Sequence, residues 1–296
     1  MGKKFMAKNL AETIREIIKH HINTNDGIVL GQCLSAVGWV QNTIPDQKKG
    51  IIELSMTDTA GSGMAVGAAI AGSRPVFVMR FQSLVWLNSS PLVMHASKAK
   101  EIFGYGAPVF IRAIASESSL GQGPLHANNY HSIFSHMPNF NVCSPMTPRE
   151  YKKIWNFYIN NDLPLFVSEH RNSYLSSLEL KNIYFKKPKI TVFAISSSRF
   201  EAYNAVKNLK AEGIECDFIN ILWLNPFRLS KKEIESIKKT KLGLVIDASY
   251  EHCGVTSSIA YKIMQMCNCK VIAMGLKNTS PGVSVISQNG TPSMKK

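Results

Sequence analysis

The sequence predicts an α/β protein made of two parallel-sheet domains, and three observations carry that reading. Beyond residue 188, short apolar runs alternate with helical patterns: 190–195, 199–212, 215–220, 231–239, 242–247, 255–266 and 270–273. Strand and helix in alternation give a parallel sheet with right-handed crossovers. The first half has strand-like runs of its own at 27–31, 51–54, 75–81, 108–115, 142–145 and 164–169. Between the halves, residues 176–188 turn more polar and charged, which reads as a linker. A chain of 296 residues is long enough for two domains, each with its own core. The expected boundaries are 1–175 for the first domain, 176–188 for the linker and 189–296 for the second.

Composition narrows the class. Hydrophobic content of 45% with 18% charged residues is ordinary for a globular protein. No apolar run approaches the roughly 18–20 residues of a membrane span. Residues 1–21 form an amphipathic helical pattern with charges throughout, and Glu12 and Glu16 argue against a targeting peptide, so the cytoplasm is the expected compartment. The net charge of +14 raises nucleic acid as a partner. However, the lysines scatter into local pairs such as Lys186-Lys187, Lys231-Lys232 and Lys238-Lys239, with no basic stripe interleaved with aromatics. A basic surface facing a more acidic subunit is the preferred reading. Of the six cysteines only Cys267 and Cys269 are close, and C-x-C without a second pair is a poor zinc signature. Reduced thiols are expected.

Taken in order, the amphipathic N-terminal helix leads into a buried strand at 27–31, then a loop-like segment at 31–43 that contains Gln32, then a short strand at 51–54. Residues 54–75 are the stretch richest in small side chains. Ala65, Ala68, Ala69 and Gly72 fall at helical spacing, which predicts a small-faced helix that lets another backbone approach. Glycine inside a helix costs roughly 0.5–1 kcal/mol relative to alanine, so a tight neighbour, helix or ligand, is expected. Asp58 at the first turn suits the helix dipole, and a well-capped core helix explains the same pattern.

The strand at 75–81 ends on Phe81, at the end where ligands sit in open parallel sheets. A plain core aromatic fits that position equally well. A helix is expected over 92–102 and a strongly apolar strand over 108–115, followed by a glycine-rich polar stretch that contains His126. A histidine in such a loop beside a strand end is an acid–base candidate. His131 and His136 lack that placement and read as structural or surface. Thr147 and Pro148 make the N-cap and first position of a helix over 147–160. In the second half, Gly213 closes the helix at 199–212, and 224–227 reads as a turn.

Several of these motifs carry a resemblance to one family. Asp58 followed by the Gly/Ala-rich helix and Ala71-Gly72-Ser73-Arg74-Pro75 resembles the Ser-Glu-Ala-Gly-like motif and Ala-Gly-X-Arg-Pro ending of beta subunits of 2-oxo acid dehydrogenase decarboxylase components, of the pyruvate, branched-chain and acetoin type. Gly31–Thr43 is similar to the Gly-Glu-Asp-Val-Gly loop of that family. Pro124-Leu125-His126 falls on its Gly-Gly-His-His-Ser-Gln motif, and 168–174 on its Leu-Glu-His-Arg exit. The second half resembles the transketolase C-terminal domain, with Glu251-His252-Cys253-Gly254-Val255 at its Gly-rich turn. The resemblance covers about residues 5–285. It implies a thiamine diphosphate pyrimidine-binding domain followed by a transketolase C-terminal-like domain.

The same resemblance implies the chemistry. Asp58 falls on the family's glutamate, whose hydrogen bond to a pyrimidine ring nitrogen favours the imino tautomer of the cofactor. Aspartate is one methylene shorter. Gln32 falls on a second acid of the family, and cannot ionise. Phe81 becomes a candidate to stack on the aminopyrimidine, with Trp86 as a neighbour competing for that role. His126 becomes the proton-transfer residue. No Gly-Asp-Gly...Asn diphosphate motif occurs, and Asn25-Asp26-Gly27 is the nearest string. The implied partner is an alpha-type subunit with the diphosphate-binding domain and magnesium, in an alpha2beta2 heterotetramer, with a lipoyl acyltransferase as a further partner. Two alternatives stand beside this reading. One is a split transketolase-like or carboligase subunit that transfers a two-carbon unit to an aldehyde or sugar. The other is a catalytically degenerate scaffold, motivated by Asp58 and Gln32.

Overall fold

The first capped helix comes early, fifteen residues long. In the computed structural model, which describes residues 8–35, 40–116, 123–280 and 292, α1 spans Leu10–Thr24. Asn9 and Glu12 close a reciprocal capping box, each bonding the other's backbone N–H at 2.9 Å, which satisfies two orphan donors at once. Leu10, Ile14, Ile18 and Ile22 form the buried stripe of α1, and it packs against α6, Pro148–Ile159. Thr147 caps α6 through the N–H of Glu150, with Pro148 following it, as the sequence predicts.

The described chain divides into two compact units, one of Met1–Arg80, Leu84–Ile114 and Pro145–Glu179, the other of Phe81–Ser83, Ala115–Ser144 and Leu180–Lys296. In the first unit, β1 (Val29–Gly31), β2 (Ile51–Glu53), β3 (Val76–Met79), β4 (Phe110–Ala115) and β6 (Leu165–His170) lie in the order β2-β1-β3-β4-β6. β1 pairs in parallel with both β2 and β3, and β3 with β4. β3, β4 and β6 are buried at every position, the pattern of a parallel sheet covered on both faces.

The small-residue helix is α2, Asp58–Ile70. Its buried face is Gly61, Ser62, Ala65, Val66 and Ala69, rather than a line running on to Gly72. Gly72 lies past the helix end at φ +94°, exposed, where glycine is wanted for its left-handed backbone. α2 packs on α3, Val85–Pro91. The expected helix over 92–102 is different in form. Helical backbone begins earlier, at Val85, widens into a π-helical turn over Leu92–Ala96, and resumes as α4, Ala99–Phe103. Pro91 explains the break: it lacks an N–H and crowds the preceding turn, and the Ser97 N–H then reaches back five residues to Leu92 O at 3.1 Å.

In the second unit, β7 (Ile190–Ala194), β8 (Cys216–Asn220), β10 (Leu242–Tyr250) and β11 (Lys270–Leu276) form a sheet in the order β11-β10-β7-β8, with all three pairings parallel. α7 (Ser198–Ala211), α8 (Lys231–Thr240) and α9 (Val255–Cys267) are the intervening helices. Residues 224–227, expected as a turn, contribute instead to β9, Trp223–Asn225, which pairs antiparallel with β5, Asn141–Cys143. A three-residue strand exists only through its partner, here some 80 residues distant, so local pattern does not reveal it. Another short element, α5 (His131–Phe134), buries His131 and Phe134. Within 176–188, Ile183 exchanges backbone hydrogen bonds with Phe218 and the Phe185 N–H bonds Asp217. All six cysteines are free thiols.

Candidate active site

α2 starts at Asp58, directly after Thr57, whose side chain makes no capping bond. The Asp58 carboxylate therefore sits at the positive end of the helix, half-buried. Its Oδ1 accepts a hydrogen bond from Asn88 Nδ2 at 3.1 Å, and its other oxygen has no hydrogen-bond partner among the described residues. Asn88 lies on α3 and is 2% exposed. The same Nδ2 donates to Leu84 O at 2.9 Å, while Asn88 Oδ1 is buried without a hydrogen-bond partner among the described residues.

Gln32 follows the C-terminal end of β1 and is buried. Its Oε1 accepts from Arg80 Nη1 at 3.0 Å, and Arg80, just past β3, is held in turn through its carbonyl by Arg171 Nη2 at 2.7 Å. Gln32, Asp58, Arg80 and Asn88 line one slot at the strand ends, together with Phe77. Its free space is about 10 Å³, about one water. The structure thus brings together two of the residues that sequence reading singles out, Asp58 and Gln32. It adds Asn88 and Arg80, which that reading missed. Arg80 could have been noticed as a charge closing an apolar strand. Asn88 carried no signal.

The second unit holds the other pair. Phe81 is 2% exposed, and the His126 imidazole stacks on it with centroids 4.2 Å apart and planes inclined by 17°. His126 lies in a single turn in which the N–H groups of His126 and Ala127 both bond Gly123 O, at 3.2 and 3.0 Å. Gly123 holds φ +75°, which a side chain would resist. His126 Nδ1 is buried and has no hydrogen-bond partner among the described residues. Adjacent residues anchor the loop. Asn128 Nδ2 donates to Pro124 O, its Oδ1 accepts from Tyr250 Oη at 3.0 Å, and Gln82 accepts from the Tyr130 N–H. Residues 117–122, part of the expected glycine-rich stretch, and 36–39 of the Gln32 loop lie outside the described residues. Trp86, expected as a competitor for Phe81, is on α3 and 62% exposed.

Of the two histidines read as structural or surface, His131 is structural and His136 is exposed. His131 Nε2 pairs with Asp247 Oδ2 at 2.7 Å, both groups fully buried, and Ser196 Oγ donates to Asp247 Oδ1. Burial pushes the Asp247 carboxyl up, but the charge and hydrogen bond of His131, with Ser196 and the Ala248 N–H, hold it below its ordinary value. Arg74 of the Ala-Gly-X-Arg-Pro ending is also structural. Its Nη1 donates to Tyr158 O and Asn161 O at 2.6 and 2.7 Å, closing the C-terminal end of α6. Among the described residues no three His, Cys, Asp or Glu converge as a metal site, and no helix is long and apolar enough to cross a membrane.

Comparison with known proteins assigns this architecture. Residues 18–176 match the transketolase pyrimidine-binding domain, and residues 182–285 match the transketolase C-terminal domain. The beta subunit of acetoin:2,6-dichlorophenolindophenol oxidoreductase from Cupriavidus necator is 24% identical over 228 residues, covering 73% of this chain and 67% of that protein. The pyruvate dehydrogenase E1 component beta subunit of Rickettsia felis is 26% identical over 230 residues, covering 73% of this chain and 70% of that protein. Among solved structures, a split-gene transketolase in the form of an inactive beta4 tetramer superposes with a TM-score of 0.75 at 16% identity, covering 96% of this chain and 94% of that one. That last likeness is one of fold. By the match over more than half its length, the chain belongs to the transketolase pyrimidine-binding domain family, and it continues into a transketolase C-terminal domain.

Proposed function

We propose that this chain is the beta-type subunit of a heteromeric thiamine diphosphate-dependent enzyme that decarboxylates a 2-oxo acid and passes on the resulting acyl or aldehyde unit. The observation that carries the proposal is the Asp58 slot: a carboxylate at the first turn of α2, held by one oxygen through Asn88, with the other oxygen unpaired among the described residues. That free acceptor suits a ring nitrogen carrying a proton. The beta-subunit names of the relatives point to the same role. When bound, thiamine diphosphate supplies the electron sink that 2-oxo acid decarboxylation needs.

The chain's own residues have distinct tasks in this reading. Asp58 accepts the hydrogen bond of the pyrimidine ring nitrogen, a charge-assisted contact of the strong kind. Gln32, its Oε1 already engaged by Arg80, offers an amide donor and no charge. Phe81 gives His126 a flat apolar support, and the His126 imidazole, part-exposed, is the group that holds or releases a proton at the substrate carbonyl. In this assignment residues 1–175 form the pyrimidine-binding domain, 176–188 the linker and 189–296 the C-terminal domain.

An alpha-type subunit would carry the diphosphate-binding half with its magnesium, in an alpha2beta2 heterotetramer located in the cytoplasm, with a lipoyl acyltransferase as downstream acceptor. One feature supports a partner: around α2 and α3, Met56, Met64, Trp86 and Leu87 are 51–71% exposed, more apolar surface than scattered single residues present. The test is calorimetry of cofactor binding. The isolated chain should bind thiamine diphosphate weakly or not at all, and the complex recovered through a tag on this chain should bind it in a magnesium-dependent way. Tight binding by the isolated chain overturns the shared site.

A further inference from the structure

Asn88 stands out in the first unit because its hydrogen bonding is one-sided. Its amide nitrogen bonds both Leu84 O at 2.9 Å and Asp58 Oδ1 at 3.1 Å. Leu84 O is a backbone acceptor one turn earlier on the same helical segment, so it fixes which end of the amide faces the carboxylate. Turning the amide over would set its oxygen against two acceptors. Asn88 Oδ1, meanwhile, is buried with no hydrogen-bond partner among the described residues. Native folds seldom leave a buried acceptor in that state, and a group that is so left calls for a reason. Here the orientation that satisfies Asp58 is the one that orphans Oδ1.

Resting on the reading of Asp58 above, we propose that Asn88 is its positioning residue. By fixing Oδ1 it limits rotation of the carboxylate, so that the remaining oxygen is presented in one orientation to the cofactor's ring nitrogen. An aspartate, shorter than glutamate, gains little from freedom to swing and depends more on being held. A misplacement of about 1 Å at such a contact is enough to cost on the order of a hundredfold in rate. Asn88 is 30 positions from Asp58 in sequence and takes no part in chemistry itself.

The test compares cofactor binding in the complex recovered through a tag on this chain. The ligands are thiamine diphosphate and an analogue with the pyrimidine nitrogen opposite the amino group replaced by CH. Wild type should prefer the natural cofactor by at least about tenfold, the size of a hydrogen bond to a charged group. Asn88→Ala, which removes the donor, and Asn88→Asp, which keeps the shape but faces Asp58 with an oxygen, should lose most of that preference. Preference retained in both variants overturns the positioning role alone. A wild type indifferent to the nitrogen overturns the reading of Asp58 beneath it, and the proposal with it. A measurement without cofactor or an Asn88 variant stands alongside. In the isolated full chain, the Asn88 side-chain amide protons should exchange with solvent several-fold faster in Asp58→Ala than in wild type. Equal exchange in the two chains overturns the proposal.

Discussion

Glu169 and Asp58 are carboxylates of the same unit in opposite circumstances. Glu169, on β6, is 1% exposed and accepts from four donors: Arg112 Nε at 2.7 Å, Arg112 Nη2 at 2.8 Å, Tyr151 Oη at 2.7 Å and Tyr174 Oη. Arg112 is itself fully buried and also donates to Thr43 Oγ1 at 2.9 Å. Burial would pull the guanidinium down, yet the charge of Glu169 holds it well above its ordinary value. Burial first, and Glu169 second, push both tyrosine hydroxyls up. Asp58 is half-buried, takes one donor, and borders a water-sized slot. The first carboxylate has its acceptor capacity filled and ties β4, β6 and α6 together. The second keeps capacity in reserve at the strand ends. A filled carboxylate resists change, and a part-filled one is ready for a ligand.

Breaking the filled site should have the largest effect. Glu169→Gln keeps the shape but leaves the Arg112 charge buried without its counterion, which typically costs about 3–5 kcal/mol. Urea unfolding of the isolated chain measures this. Replacing the pair together, Arg112→Met with Glu169→Leu, should recover much of the loss, because apolar replacements of a buried pair are often neutral or stabilising. A single-variant loss below about 1 kcal/mol, the worth of an exposed pair, would mean that Glu169 is no more committed than Asp58.

At the part-filled site the effect should move from stability to function. Asp58→Asn removes a charge near a helix N-terminus, worth about 0.3–1 kcal/mol in stability. The amide still accepts from Asn88, so the fold should persist. Exchange of the thiazolium proton of thiamine diphosphate in the complex should nevertheless slow by at least about a hundredfold, the lower range for a positioned proton-transfer group. Exchange at the wild-type rate in Asp58→Asn would show that this carboxylate does not activate the cofactor, and would favour a scaffold role for the chain.

The contrast also separates what the sequence discloses from what it hides. Alternating strands and helices from β7 to β11 are legible because each element is long enough to show its own period. Asp58 is legible because it opens a helix whose small residues are unusual, and Phe81 because it closes a strand. Asn88 is hidden: an asparagine in an ordinary polar-apolar stretch says nothing about a carboxylate 30 residues away. The Arg112–Glu169 node is hidden for the same reason, at 57 residues. β9 and the π-helical turn at Leu92–Ala96 escape because partner strand and proline decide them, not local pattern. The small face of α2 is legible from its spacing but stops short of Gly72, which serves the turn after the helix.

His21 supplies a third grade between filled and part-filled, and the smallest expected effect. It lies 1% exposed on α1, edge-on to Trp155 with centroids 5.0 Å apart, and its Nε2 bonds Arg74 O at 2.8 Å. A carbonyl partner requires the hydrogen on Nε2. Nδ1 is buried without a hydrogen-bond partner among the described residues. A Cβ at Gly27 would stand 2.2 Å from the ring, so the imidazole is confined. Burial lowers its pKa from the ordinary 6.5, only partly offset by the Arg74 carbonyl. The unfolded chain therefore binds the His21 proton at a pH where the folded chain does not. Stability should be complete above about 6.5 and fall as pH drops below it toward the folded value, with a slope of at most about 1.4 kcal/mol per pH unit. The chain has eight histidines, so the measurement is a difference. His21→Phe retains the contact with Trp155 and gives up the bond to Arg74, costing about 1 kcal/mol at pH 7.5. Between pH 7 and 5 its stability should decline less steeply than that of wild type. Parallel declines in the two chains would mean that His21 takes its proton in the folded state as readily as in the unfolded one.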